Sequence, residues 1–153
     1  MEDKKHYRDL FQKWKCCIII PTYNNSGTIL DVINGVSDFT HQLIVVNDGS
    51  TDKTGNLLKE YLENQVDIID YRSNRGKGFA LKQGFKRAID LGYEYAITID
   101  SDGQHMPSDL PRFIDRLEHA SDSIIVGERK MPEENVPAKN TFANKFSNFW
   151  FRL

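Results

Sequence analysis

Apolar residues fall along this chain in short dense runs, separated by stretches with helical spacing. Cys16 to Ile20 is one such run and stops at Pro21, which predicts a buried strand with its end marked. Gln42 to Val46, Val66 to Tyr71, Tyr95 to Ile99 and Ser123 to Gly127 predict four further strands, rich in β-branched and aromatic residues. Tyr7, Leu10, Phe11 and Trp14 predict a short amphipathic helix over residues 6–15. Ile29, Val32, Ile33 and Val36 fall at i, i+3, i+4 and i+7, a helix face for which Ser26 or Thr28 is the cap. Leu57, Leu58, Tyr61 and Leu62 mark a third helix, capped by Thr51 or Asp52. Leu81, Gly84, Phe85 and Ala88 mark a fourth that closes near Gly92. A fifth begins near Ser108, with Pro111 in its first turn and Phe113, Ile114 and Leu117 inside.

This β-α alternation with near-continuous apolar strands implies an α/β fold, a mainly parallel sheet covered by helices on both faces. Parallel order puts every strand's C-terminal end on one edge, where ligands of such sheets bind. The polar or glycine-rich turns Pro21-Thr22-Tyr23-Asn24, Asn47-Asp48, Asn74–Gly78 and Asp100–Asp102 all fall at strand C-terminal ends and converge there.

At 153 residues the chain is long enough for one domain with a real core. Its net charge of -2 argues against nonspecific nucleic-acid binding. Met1-Glu2-Asp3-Lys4-Lys5 leads to no apolar signal region, and no apolar stretch approaches bilayer length, so a cytoplasmic protein is expected. Cys16 and Cys17 are adjacent in a strand and point to opposite faces; a disulfide between them would be strained, and two reduced, packed thiols are expected.

Asp100-Ser101-Asp102-Gly103 carries the most chemistry. A strand ending in Asp-x-Asp projects two carboxylates that can reach one hard cation, and without a cation the pair repels. An isolated D-x-D is more often two solvated acids in a turn, so the other turns decide its meaning. Asp48 can accept a hydrogen bond from a base N–H, while Asp52 suits helix capping better. Gly76 and Gly78 let backbone N–H groups approach an anion at a helix N-terminus, with Lys77 or Arg75 near to balance charge. Leu81 at the third glycine position rules out the dinucleotide fingerprint. Gln104 and His105 follow the acid pair closely enough to complete a coordination shell or touch a phosphate.

Taken in order, Pro21-Thr22-Tyr23-Asn24, Asn47-Asp48-Gly49-Ser50-Thr51-Asp52, Asn74-Arg75-Gly76-Lys77-Gly78 and Asp100-Ser101-Asp102-Gly103-Gln104-His105 resemble the successive signatures of family 2 glycosyltransferases, over about residues 16–130. The match is nearest the branch of dolichol- and polyprenyl-phosphate sugar transferases. The resemblance implies a GT-A fold and an inverting transfer from a UDP- or GDP-linked sugar, aided by Mg2+ or Mn2+. It implies that Pro21, Thr22, Tyr23 and Asn24 line the nucleotide pocket and that Asp48 holds the base. Asn74, Gly76 and Lys77 would lie along the nucleotide, and Asp100 and Ser101 beside the ribose and metal. Asp102 would be the principal metal ligand with Asp100, and Gln104 an additional one. Arg129, in Gly127-Glu128-Arg129, resembles the arginine after the family's next strand and would meet a phosphate. One departure is visible: many members have Asp where this chain has Asn47.

A bridging divalent ion would stabilise the charge that develops on the leaving diphosphate. No residue is a convincing acceptor base, and a phosphate acceptor, already anionic, needs little or none. The implied partners are a nucleoside-diphosphate sugar and a polyprenyl-phosphate or glycan acceptor. Phe142, Phe146, Phe149, Trp150 and Leu153, interleaved with Lys139, Lys145 and Arg152, predict a basic amphipathic helix over 139–153 that packs on protein or lies on a membrane surface. It reaches the last residue without a stop signal. A single glycosyltransferase domain over 1–153 is therefore expected to continue into a further C-terminal part and to work at the cytoplasmic face of a membrane. Two other readings compete. A HAD-type phosphatase would need its Asp-x-Asp after the first strand, and here it follows the fourth. A nucleotide-sugar-binding module without turnover would share every motif above.

Overall fold

The structure, a computed structural model, describes residues 2–62, 66–120 and 123–127. Residues up to His119 form one unit and those from Ala120 onward another. The first unit holds α1 (Glu2–Lys13), β1 (Cys16–Thr22), α2 (Ile29–Ser37), β2 (Leu43–Asn47), α3 (Thr54–Leu62), β3 (Asp67–Asp70), α4 (Lys77–Asp90) and β4 (Tyr95–Thr98). A single 3-10 turn over Pro107–Asp109 then leads into α5 (Leu110–Ala120).

The strands form one parallel sheet in the order β3-β2-β1-β4. Every residue of β1 and β2 is buried, as their unbroken apolar runs require, while the flanking β3 and β4 are half-buried. Cys17 and Ile19 of β1 and Ile44 and Val46 of β2 face α4, where Ala80, Gly84 and Ala88 make its inner stripe. Gly84 is there for space: a Cβ at that position would stand 2.5 Å from Cγ2 of Ile19. Right-handed crossovers place α2 and α3 on the opposite face, and the buried Ile29, Val32, Ile33, Val36 and Leu58 supply its core.

The predicted elements form with shifted ends. β1 runs past Pro21 because the carbonyl of Thr22 still accepts from Asp48 N at 2.9 Å. Asp52 leads into α3, its carboxylate accepting from Thr54 N at 2.9 Å. Thr28 occupies the cap position of α2 but its hydroxyl makes no cap hydrogen bond. The strand predicted over Ser123 to Gly127 does not form. Those residues have no ladder partner among the described residues, and Ile124 and Val126 are exposed. The helix predicted over 139–153 lies outside the described residues. Cys16 and Cys17 are free and buried.

Candidate functional site

β2 and β3 continue from one side of β1, and β4 lies on the other. The strand order therefore reverses between β1 and β4, the point at which open parallel sheets leave a crevice beyond their C-terminal ends. A cavity of about 430 Å³ sits there. The end of β1 and the loop after it line it with Pro21, Thr22, Tyr23 and Asn25, and the turn after β2 with Asp48. Asn74, Gly76, Lys77 and Ala80 form another wall, and Asp100, Ser101 and Asp102 a third. Four turns remote in sequence are thus one surface.

Asp48 is 2% exposed. Its carboxylate accepts from Arg75 N at 3.0 and 3.1 Å and from Gly76 N at 2.7 Å. That anchors the loop opening α4 and holds Gly76 at φ +95° as the residue before the helix. Gly49, at φ +71°, lets the two loops meet, since a Cβ there would stand 2.3 Å from the Ser73 backbone. Arg75 lies over the Phe79 ring, 4.0 Å from its centroid.

The acid turn is held from the β1 side. Asn25 Nδ2 donates to Ser101 Oγ at 2.7 Å, and Thr28 Oγ1 donates to the Ser101 carbonyl at 2.6 Å. This accounts for the missing cap bond of α2: the Thr28 hydroxyl serves the acid turn. Asp102 accepts from Gln104 N at 2.9 Å, and His105 Nδ1 accepts from Asp100 N at 3.0 Å. Lys77 Nζ lies 2.7 Å from one Asp100 oxygen and 2.8 Å from the other.

Two sequence-derived candidates fall elsewhere. Asn24, at φ +55°, does not line the cavity. Its Oδ1 accepts from Thr51 N at 2.8 Å and Asp52 N at 3.2 Å, so it staples the β1 loop to the β2 loop. Gln104 is exposed beside the acid turn but outside the cavity wall, and Arg129 lies outside the described residues. Asn25 and Ala80 were not among the candidates. Only Asn25's place beside Asn24 hinted at it, and nothing local singles out Ala80.

Among the described residues no three His, Cys, Asp or Glu side chains cluster to hold a metal ion by themselves. Two carboxylates in one turn are nonetheless the donor set that Mg2+ or Mn2+ uses when substrate phosphates and water complete its shell. The ammonium of Lys77 already stands as a cation across both oxygens of Asp100. Thr22 Oγ1, in a residue 3% exposed, has no hydrogen-bond partner among the described residues.

The sequence pattern of Glycosyl transferase family 2 matches residues 17–150. This chain belongs to that family. It is 34% identical over 145 residues to the UDP-N-acetylglucosamine–dolichyl-phosphate N-acetylglucosaminyltransferase of Methanococcus voltae, covering 83% of this chain and 58% of that protein. It is 31% identical over 144 residues to the polyprenol monophosphomannose synthase of Mycolicibacterium smegmatis, covering 89% and 54%. The chain spans little more than half the length of these relatives. Glucosyl-3-phosphoglycerate synthase from Mycobacterium tuberculosis, solved with Mn2+, uridine-diphosphate-glucose and phosphoglyceric acid, superposes with a TM-score of 0.58 at 22% identity, over 74% of this chain and 43% of that one. The expected GT-A fold is borne out. Among the described residues no helix is long and apolar enough to cross a membrane.

Proposed function

We propose that this glycosyltransferase chain binds a nucleoside-diphosphate sugar in the cavity at the C-terminal edge of the sheet, as the donor side of an inverting transfer to a polyprenyl phosphate or glycan. The observation that carries the reading is the convergence of Asp48, the Gly76–Lys77 helix start and the Asp100–Asp102 turn on one cavity.

Asp48 faces the base end and keeps the Asn74–Lys77 wall in place through its bonds to Arg75 and Gly76. Pro21 and Tyr23 flank the nucleoside, and the unpartnered Thr22 hydroxyl gains a partner from it. Asn24 acts from outside, by fixing the loop that carries these residues. Lys77 and the free N–H groups at the start of α4 favour the diphosphate. Asp100 and Asp102 hold Mg2+ or Mn2+, with Gln104 as a further ligand and Ser101 setting the turn. Bound there, the ion supplies charge stabilisation to the departing diphosphate. A phosphate acceptor attacks without a base, which fits a cavity whose walls offer carboxylates only for base and metal. A polyprenyl acceptor places the protein at the cytoplasmic face of a membrane. Relatives named for dolichyl-phosphate and polyprenol substrates support that acceptor class.

The test is transfer. The chain is mixed with UDP- or GDP-sugars, Mn2+ and a short-chain polyprenyl phosphate, and both lipid-linked sugar and free nucleotide are quantified. Stoichiometric appearance of both is the expected result. Donor binding without transfer would leave a nucleotide-sugar-binding module, and no donor binding would overturn the reading.

A further inference from the structure

We infer that Lys77 is an exchangeable cation for Asp100: it holds the carboxylate before the metal arrives, gives it up to the metal, and moves to the diphosphate. The inference rests on the donor site proposed above and adds an order to its loading.

Lys77 opens α4 and Asp100 follows β4, so the contact is built by the fold and not by local sequence. The ammonium lies 2.7 and 2.8 Å from the two carboxylate oxygens, so both oxygens of this candidate metal ligand already face a cation. Other charges near the pair do not compete for that role. His105 Nδ1 accepts from the Asp100 N–H at 3.0 Å and stands 3.9 Å from the nearer carboxylate oxygen, well beyond the Lys77 ammonium. Arg75 keeps its guanidinium over Phe79. The Lys77 side chain is 61% exposed, so its flexible stem is free to swing. Both Lys77 and Asp100 line the cavity, so an ammonium displaced from the carboxylate remains where a diphosphate would lie.

The consequence is linkage. Metal alone must displace Lys77 from Asp100 and leave the ammonium beside a dication. Metal with a nucleoside diphosphate gives that ammonium a new anion. Each ligand therefore strengthens the other through Lys77, and by reciprocity to the same degree.

Mn2+ binding is measured by the loss of its free aqua-ion EPR signal, with and without UDP or GDP, on the wild type, Lys77→Met and Lys77→Arg. Circular dichroism and melting temperature confirm that each variant is folded. Lys77→Met is expected to bind Mn2+ alone about two- to fivefold more tightly, the range set by loss of one solvent-exposed ion pair. It should also lose at least that factor from the nucleotide's enhancement of Mn2+ affinity, while Lys77→Arg stays near the wild type. Unchanged or weaker Mn2+ binding by a folded Lys77→Met overturns the exchange. A wild type that binds no Mn2+ even with saturating nucleotide overturns the metal role itself, and the exchange with it.

Discussion

The side-chain amide of Asn47 donates to the Asp70 carboxylate at 2.9 Å, tying the C-terminal ends of β2 and β3 together. The same amide's oxygen accepts from Ser50 N at 3.2 Å, which shapes the turn after Asp48. Asn47 is 2% exposed, so its group must be satisfied inside the protein. The departure from the family's frequent Asp is thus matched to its neighbour: with Asp70 opposite, a second carboxylate would have no proton to give and would repel.

Asn47→Asp should therefore destabilise the fold by about 1–3 kcal/mol near neutral pH, the cost of an unsatisfied and repelling buried group. Repulsion raises the carboxyl pKa in the folded state. A raised folded value means the penalty is greatest at high pH and shrinks as pH falls and one carboxyl takes a proton. Urea midpoints at pH 8 and pH 5 check this; equal stability of variant and wild type at both would contradict it.

The Ser101 clamp predicts a separation between stability and binding. Thr28→Val keeps shape but removes the hydroxyl that donates to the Ser101 carbonyl at 2.6 Å. It should cost about 1 kcal/mol in unfolding free energy. Asn25→Ala removes the partner of the Ser101 hydroxyl. Because the turn carries Asp100 and Asp102, both variants should weaken Mn2+-dependent nucleotide binding in calorimetry more than binding measured in EDTA. Equal losses in both conditions would reduce the clamp to a packing contact.

These two contacts also show what the sequence could and could not tell. Apolar runs revealed four strands because a parallel sheet buries both faces, and each chemistry-bearing turn was legible because it directly follows such a run. The spatial partners were not legible. Asn25 and Ser101 are 76 positions apart, and Lys77 and Asp100 are 23 apart. Asn24, expected in the pocket, is instead spent on Thr51 and Asp52. Ser123 to Gly127 has strand composition, yet composition cannot supply the neighbouring strand that a ladder needs.

Burial, and the proximity of Cys17, push the Cys16 thiol up to about 12. Burial does the same to Cys17. Neither is a thiolate at pH 8, so iodoacetamide should label the native chain far more slowly than the urea-unfolded chain. The raised values also give a sign for alkaline stability. It is full below the unfolded thiol pKa of about 8.5 and declines as pH climbs toward 12. Fast native labelling at both positions would contradict the packed arrangement.

Asp52 sets the acid side. Desolvation is the largest single influence on it and opposes ionisation, but hydrogen bonds from Thr54 and Ser26 together outweigh it and bring the carboxyl down to about 2. A folded value below the unfolded one of about 3.9 gives stability that is present above that pH and lost as pH falls toward 2. Asp52→Asn should therefore lower the melting temperature slightly at pH 6 and converge with the wild type near pH 2. The difference should shrink in high salt, since the group is exposed.

The most direct test of the donor site is a thermal-shift series with UDP, GDP and their sugar conjugates, in Mn2+ or EDTA, on the wild type and Asp102→Ala. At a hundredfold excess over the dissociation constant a ligand adds about 2.7 kcal/mol, a rise of roughly 5–10 °C for a domain of this size. A manganese-dependent rise with one nucleotide series, lost in Asp102→Ala, is the expected result. No rise with any nucleotide, from a sample that melts cooperatively, would contradict it.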